Sequence, residues 1–167
     1  MQGTPDPVLG SELATLVVAL GVGALVGVAP LVVGRRLSPR RYAGVGGALY
    51  ATVLTALWVL PRIGVAGLGC SLPSDLGACG PLALVGFAVL GGQAAVGLYA
   101  YAEYGSVGPL AATVLVTVLL THVFLQIRGE TDPMALYALF FGPTAVGVTV
   151  LVGIVEAFLR RAVAAVD

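Results

Sequence analysis

The chain has no lysine, one histidine, two cysteines and one tryptophan, and only 10% of its 167 residues are charged. Each scarcity excludes something. Soluble domains carry roughly a quarter charged residues, whereas this composition is 59% hydrophobic with a mean hydropathy of +1.04, which fits a bilayer as the solvent. The formal charge is zero and no basic patch accompanies an aromatic platform, so nucleic-acid binding is not expected. A single histidine cannot supply both axial ligands of a bis-His haem within one chain. No ionisable residue falls at the centre of an apolar run, which argues against proton relays, voltage sensors and ion-coupled carriers. There is also no H-E-x-x-H, no P-loop, no pair of intramembrane aspartates and no repeated half that would imply inverted symmetry.

What is present is a series of apolar runs of bilayer-crossing length, about 20 residues each, and one basic loop between the first two. Arg35, Arg36, Arg40 and Arg41 place four of the eight cations in seven positions. The positive-inside tendency puts this loop, residues 34–42, in the cytoplasm. The spans then read 13–33, 43–60, 81–102, 107–127 and 134–159. This predicts an all-α, polytopic integral membrane protein, a bundle of five transmembrane helices forming one domain over residues 1–167, N-terminus outside and C-terminus inside. Arg160 and Arg161 join the inner side, and only Arg62 and Arg128 fall outside. The turn at 103–108 is the weakest joint of this topology, because it carries Glu103 and no cation. The first twelve residues lack a basic n-region and a small-residue cleavage site, so they read as a short acidic segment moved outward rather than a secretory signal. Arg-only, Ala/Val/Gly-rich usage fits a GC-rich genome, and the expected location is a prokaryotic plasma membrane.

Small residues recur on one face of nearly every span. Ala19, Gly23, Gly27, Pro30 and Gly34 align in the first, where Gly23 and Gly27 form a G-x-x-x-G pair that permits close helix approach. The same run contains Gly21-x-Gly23-x-x-x-Gly27, a loose dinucleotide fingerprint, but the strand and soluble βαβ unit that motif needs are missing. Gly44, Gly47, Ala48, Ala51 and Thr55 share a face in the second span, and Gly86, Gln93, Gly97, Ala100 and Tyr104 in the third. In the fifth, with a kink expected at Gly142-Pro143, Ala138, Gly142, Thr149, Gly153, Glu156 and Arg160 align. Five short helices are not expected to bury every such face. The leading functional class is therefore a non-catalytic subunit or scaffold, a homo-oligomer or a member of a larger set of membrane subunits, with the lipid bilayer as its other partner.

The polar residues define the rivals. Gln93 near mid-depth, the stripe Thr113, Thr117 and Thr121, and His122 with Gln126 on the opposite side of the fourth span could line the polar path of a small permease or channel. Gly91 and Gly92 weaken the helix before Gln93, whose amide must find a partner in hydrocarbon. Threonine can satisfy itself on the carbonyl four residues back, so the stripe does not require a site. If both polar sides of the fourth span are buried, that helix must be central. Cys70 and Cys79 lie in the long connector 61–80, placed outside, where disulfides persist. A bond between them would remove about 3 kcal/mol of unfolded-chain freedom in the loop-entropy account; free thiols and redox or metal chemistry are the alternatives. Cys70, Cys79, His122 and Met134 together would form a soft-ligand set for copper in an outward-facing redox or metal-binding protein. No cofactor is otherwise expected. Glu156 and Arg160 are spaced for an i, i+4 ion pair. Arg35, Arg36, Arg40, Arg41, Arg160 and Arg161 could touch lipid headgroups. Gly105-Ser106-Val107-Gly108 shares only composition with the G-x-S-G of intramembrane serine proteases, and His122 lies about 24 Å further along a continuous helix. No catalytic residue follows from these patterns.

Overall fold

The computed structural model describes residues 6–33, 37–63, 76–127 and 132–165. Arg35, Arg36, Cys70, Arg128 and most of the loop 61–80 lie outside them. The long helices are α1 (Glu12–Val33), α2 (Pro39–Val59), α3 (Leu76–Tyr104) and α4 (Val107–Phe124). A short α5 (Pro133–Leu136) passes through a π-helical turn, Tyr137–Phe141, into α6 (Gly142–Ala164). Five stretches are long and apolar enough to cross a membrane: Glu12–Val32, Pro39–Arg62, Cys79–Tyr104, Val107–Phe124 and Pro133–Ala164. A two-residue antiparallel ladder joins β1 (Asp6–Pro7) to β2 (Gln126–Ile127), with Asp6 opposite Ile127 and Pro7 opposite Gln126.

Local chemistry sets the helix ends. The Ala14 N–H donates to Ser11 Oγ at 3.0 Å, so Ser11 caps α1 through its side chain. Pro39 sits in the first turn of α2, where its missing N–H costs nothing. The third long helix begins at Leu76, five residues before the expected boundary at Pro81. Proline in the second turn forfeits only the bond to the carbonyl of Gly77, itself exposed, so the helix extends back into the expected connector 61–80 and takes Cys79 with it. Gly105, at φ +63°, ends α3 in a left-handed cap, its N–H donating to the Tyr101 carbonyl at 2.9 Å. The disturbance expected at Gly142-Pro143 takes the form of the π turn. Pro143 cannot donate four residues back, and the Gly142 N–H bonds to the Tyr137 carbonyl instead.

In the bundle α1 lies on α4, α2 lies on α3, and α6 crosses both α3 and α4. The α3 and α4 helices each meet all the other long helices, and together they form the centre of the bundle. Tyr50, Leu54, Trp58, Leu90, Phe124 and Tyr137 fill the main core. The small-residue faces do much of their packing inside this one chain. A Cβ on Gly23 would lie 2.5 Å from Val118 Cγ2, and one on Gly47 would lie 2.6 Å from the Gly91 carbonyl oxygen. Gly86 likewise receives Met134, Gly97 receives Thr113, and Gly142 receives Val89.

The face expected on the second span is rotated. Gly47 and Ala51 point inward, but Gly44 and Ala48 are exposed. The larger residues decide this, since Tyr42, Tyr50, Leu54 and Trp58 are all buried and fix which side of α2 meets the core. Tyr104, expected on the inward face of the third span, is also exposed.

Candidate functional site

Four polar clusters stand out among the described residues of this apolar bundle. The first is central. Gln93 on α3 is 0% exposed, and its Oε1 accepts a hydrogen bond from the Tyr137 hydroxyl in the π turn. Thr117 Oγ1 lies 3.1 Å from the Tyr50 hydroxyl and donates to the Thr113 carbonyl at 2.7 Å, which makes Tyr50 the donor in the first pair. Thr113 donates to the Pro109 carbonyl at 2.9 Å. Thr113 and Thr117 are thus satisfied on carbonyls four residues back without needing a ligand, and Thr117 presents its oxygen to Tyr50 of α2 as an acceptor. Satisfaction is incomplete, because Gln93 Nε2, Thr121 Oγ1, Thr55 Oγ1 and Trp58 Nε1 are buried with no partner among the described residues.

The second cluster closes the bundle end that carries the start of α1. Arg62, 4% exposed, donates to the Trp58 carbonyl at 2.6 Å and to the Phe124 carbonyl at 3.4 Å. Its guanidinium lies 5.2 Å from the Trp58 ring centroid, a cation–π position, and its Nε is 3.9 Å from Asp132 Oδ2. Asp132 in turn caps α5, accepting from the N–H groups of Met134 at 2.8 Å and Ala135 at 3.2 Å. One arginine thereby ties together the ends of α2 and α4 and the start of α5.

The third cluster is at the opposite end. Glu156 and Arg160 on α6 are paired, and both also reach the α3–α4 turn. The Glu156 carboxylate accepts from the Val107 N–H at 3.2 Å and the Gly108 N–H at 2.8 Å, capping α4 where the Ser106 side chain makes no cap bond. Arg160 donates to the carbonyls of Tyr104 at 3.2 Å and Gly105 at 2.7 Å, capping the end of α3. Negative charge meets a helix N-terminus and positive charge a helix C-terminus, so both follow the helix dipoles. The turn that has no cation of its own receives one from α6. This capping role was hidden from the sequence, because about 50 residues separate the partners.

His122, on the side of α4 away from the threonine stripe, and Gln126, which the structure places in β2 rather than on the helix, meet Glu12 of α1. Gln126 Nε2 is 3.2 Å from His122 Nε2 and 3.5 Å from Glu12 Oε1, and His122 Nε2 is 3.7 Å from Glu12 Oε2. The residues expected along a polar path therefore divide into two groups on different walls. Of the soft-ligand set, Cys79 and Met134 are buried, Met134 against Gly86, and Cys70 lies outside the described residues. Among the described residues no three His, Cys, Asp or Glu side chains gather into a metal-binding group. A groove of about 450 Å³ runs between α1 and α4, lined by apolar residues including Leu20, Leu110, Val114 and Val118, and Gln93 is not part of it.

Fold and site together define a helical bundle with five membrane-length helices and a bonded polar interior. Comparison with protein-family models, with curated proteins and with solved structures gives no match.

Proposed function

We propose that this chain is a multi-pass protein of a prokaryotic plasma membrane, with its Arg-rich end in the cytoplasm, acting as a non-catalytic subunit or scaffold. The observation that carries the reading is how the polar groups are used. Glu156, Arg160, Arg62, Tyr50 and Tyr137 spend their hydrogen bonds on helix ends and neighbouring helices of the same chain. What faces outward is apolar, most of all on α6, where Gly142 and Thr149 are the buried residues while Leu151, Val155, Phe158 and Leu159 are exposed. Such a surface suits lipid and apolar partner helices. A disulfide between Cys70 and Cys79 in the outer connector belongs to the same proposal. Native mass spectrometry on protein extracted in mild detergent from its own host tests the subunit reading. Co-purifying chains or a defined homo-oligomer are expected, and a monomer without partners in every mild detergent would refute it.

A small permease or channel is the second reading, favoured by the unpartnered Gln93 Nε2 and Thr121 Oγ1 inside the bundle. Thr117→Cys, in a background with both native cysteines replaced by serine, separates the two. Labelling by a small water-soluble thiol reagent in membranes supports a polar path, and complete protection removes it.

A further inference from the structure

We propose that the groove between α1 and α4 holds one acyl chain of an anionic phospholipid, whose phosphate rests on Arg40 and Arg41. This builds on the reading of the chain as a membrane protein and adds a ligand to it. At Gly23 the two helices touch, since a Cβ there would stand 2.5 Å from Val118 Cγ2. The groove runs from Leu20 and Val118 to Val107, the first residue of α4, and Gly27 and Ala111 keep it open by having little or no side chain.

Its dimensions select the occupant. Val107 to Val118 spans about 16 Å of helix, and a volume of about 450 Å³ over that length is roughly 6 Å across. An α-helix with its side chains is about 10–12 Å wide, so a partner helix does not enter, whereas a single hydrocarbon chain does. Leu20, Val107 and Leu115 on the rim are all exposed, so the groove opens sideways to the surrounding hydrocarbon. The Val107 N–H at its end is already taken by the Glu156 carboxylate, and the ligand's polar part must lie beyond. Charge is found there. Leu110, a lining residue, shares a buried cluster with Tyr42 in the first turns of α2, which sets Arg40 and Arg41 beside the same end of the groove. Both arginines are exposed, and neither makes an ion pair or a side-chain hydrogen bond among the described residues. Glu156 at this end is neutralised by Arg160, so Arg40 and Arg41 outweigh the exposed Glu103 and favour an anionic headgroup.

The test uses the full chain, delipidated in detergent, with phosphatidylglycerol and phosphatidylcholine of equal chain length as probes and native mass spectra as the readout of bound lipid. One phosphatidylglycerol per chain is expected, held tenfold or more tighter than phosphatidylcholine. Its lyso form, with one acyl chain, should displace it, and glycerophosphate, with none, should not. Ala111→Phe, which fills the groove from an exposed position, should abolish the retained lipid. Arg40→Gln with Arg41→Gln should remove the preference for the anionic headgroup. Ala48→Phe, the same change on the exposed side of α2, should do neither. Equal affinity of the wild type for the two lipids, uptake unchanged by either groove or arginine variant, or displacement by glycerophosphate would overturn the proposal. A chain that stays in solution without detergent would instead refute the membrane reading itself. Because uptake is read per chain, the result does not depend on whether the protein has partner subunits.

Discussion

The Gln93 amide shows how one hydrogen bond is weighed inside an apolar bundle. Its oxygen is satisfied by Tyr137 and its nitrogen is not. Tyr137→Phe leaves both ends of a buried amide unpaired, and a loss of about 1–3 kcal/mol is expected in a denaturant titration in detergent. Removing the amide as well, in Gln93→Leu/Tyr137→Phe, should recover most of that loss, because no buried polar group is then left alone. A double variant no more stable than the single one would show that the amide has another partner. At the other end of the bundle, Glu156→Ala removes the acceptor of two N–H groups and should cost about 1–2 kcal/mol, as for other lost caps. Arg160→Ala added to it should cost less than it does alone, since the two side chains share one ion pair. Strict additivity in that cycle would mean that the pair contributes nothing.

Between elements, glycine decides how near two helices come, and the α2–α3 pair gives a controlled comparison. A methyl group at Gly47 would meet the Gly91 carbonyl at 2.6 Å, and backbone cannot move aside as a flexible side chain can. Gly47→Ala should therefore lower stability by about 1–3 kcal/mol. Gly44→Ala, one turn away with open space around it, should leave stability unchanged or raise it slightly through helix propensity. Thermal unfolding followed by size-exclusion chromatography would distinguish the two, and equal behaviour would mean that the close approach does not matter. The cysteine pair, with Cys79 in the first turn of α3 and Cys70 before that helix in the sequence, carries its own prediction. If Cys70 and Cys79 are bonded, alkylation of the denatured protein should add no mass before reduction and two labels after it.

For the whole molecule, the expected orientation rests on arginine placement and can be read chemically. In a background free of native cysteines, Leu9→Cys at the exposed start of the chain should react with a membrane-impermeant maleimide on intact cells. Ser38→Cys, beside Arg40 and Arg41, should react only after lysis. The opposite pattern would invert the topology and place the Glu12, His122 and Gln126 trio on the cytoplasmic side. The apolar exterior and the internally bonded polar groups are then the two halves of one design, a rigid bundle that presents hydrocarbon to its surroundings.

By itself the sequence determined the number and approximate limits of the helices, because runs of about 20 apolar residues and their Pro and Gly punctuation are local signals. Gln93 and the threonine stripe were legible as polar features, and Glu156 with Arg160 as a pair, since each lies within one helical face. The tertiary structure decided what these residues do. Which side of α2 is buried depends on where Tyr50 and Trp58 find room. That Arg62 reaches the end of α4, and that Glu156 caps it at the other end, depends on which helices become neighbours. His122 takes Glu12 as its partner for the same reason, across more than 100 residues of chain. The helices follow from the length and composition of the apolar runs, both of which are local properties. The partners of polar side chains are fixed only by packing between helices, which no local pattern in the sequence records.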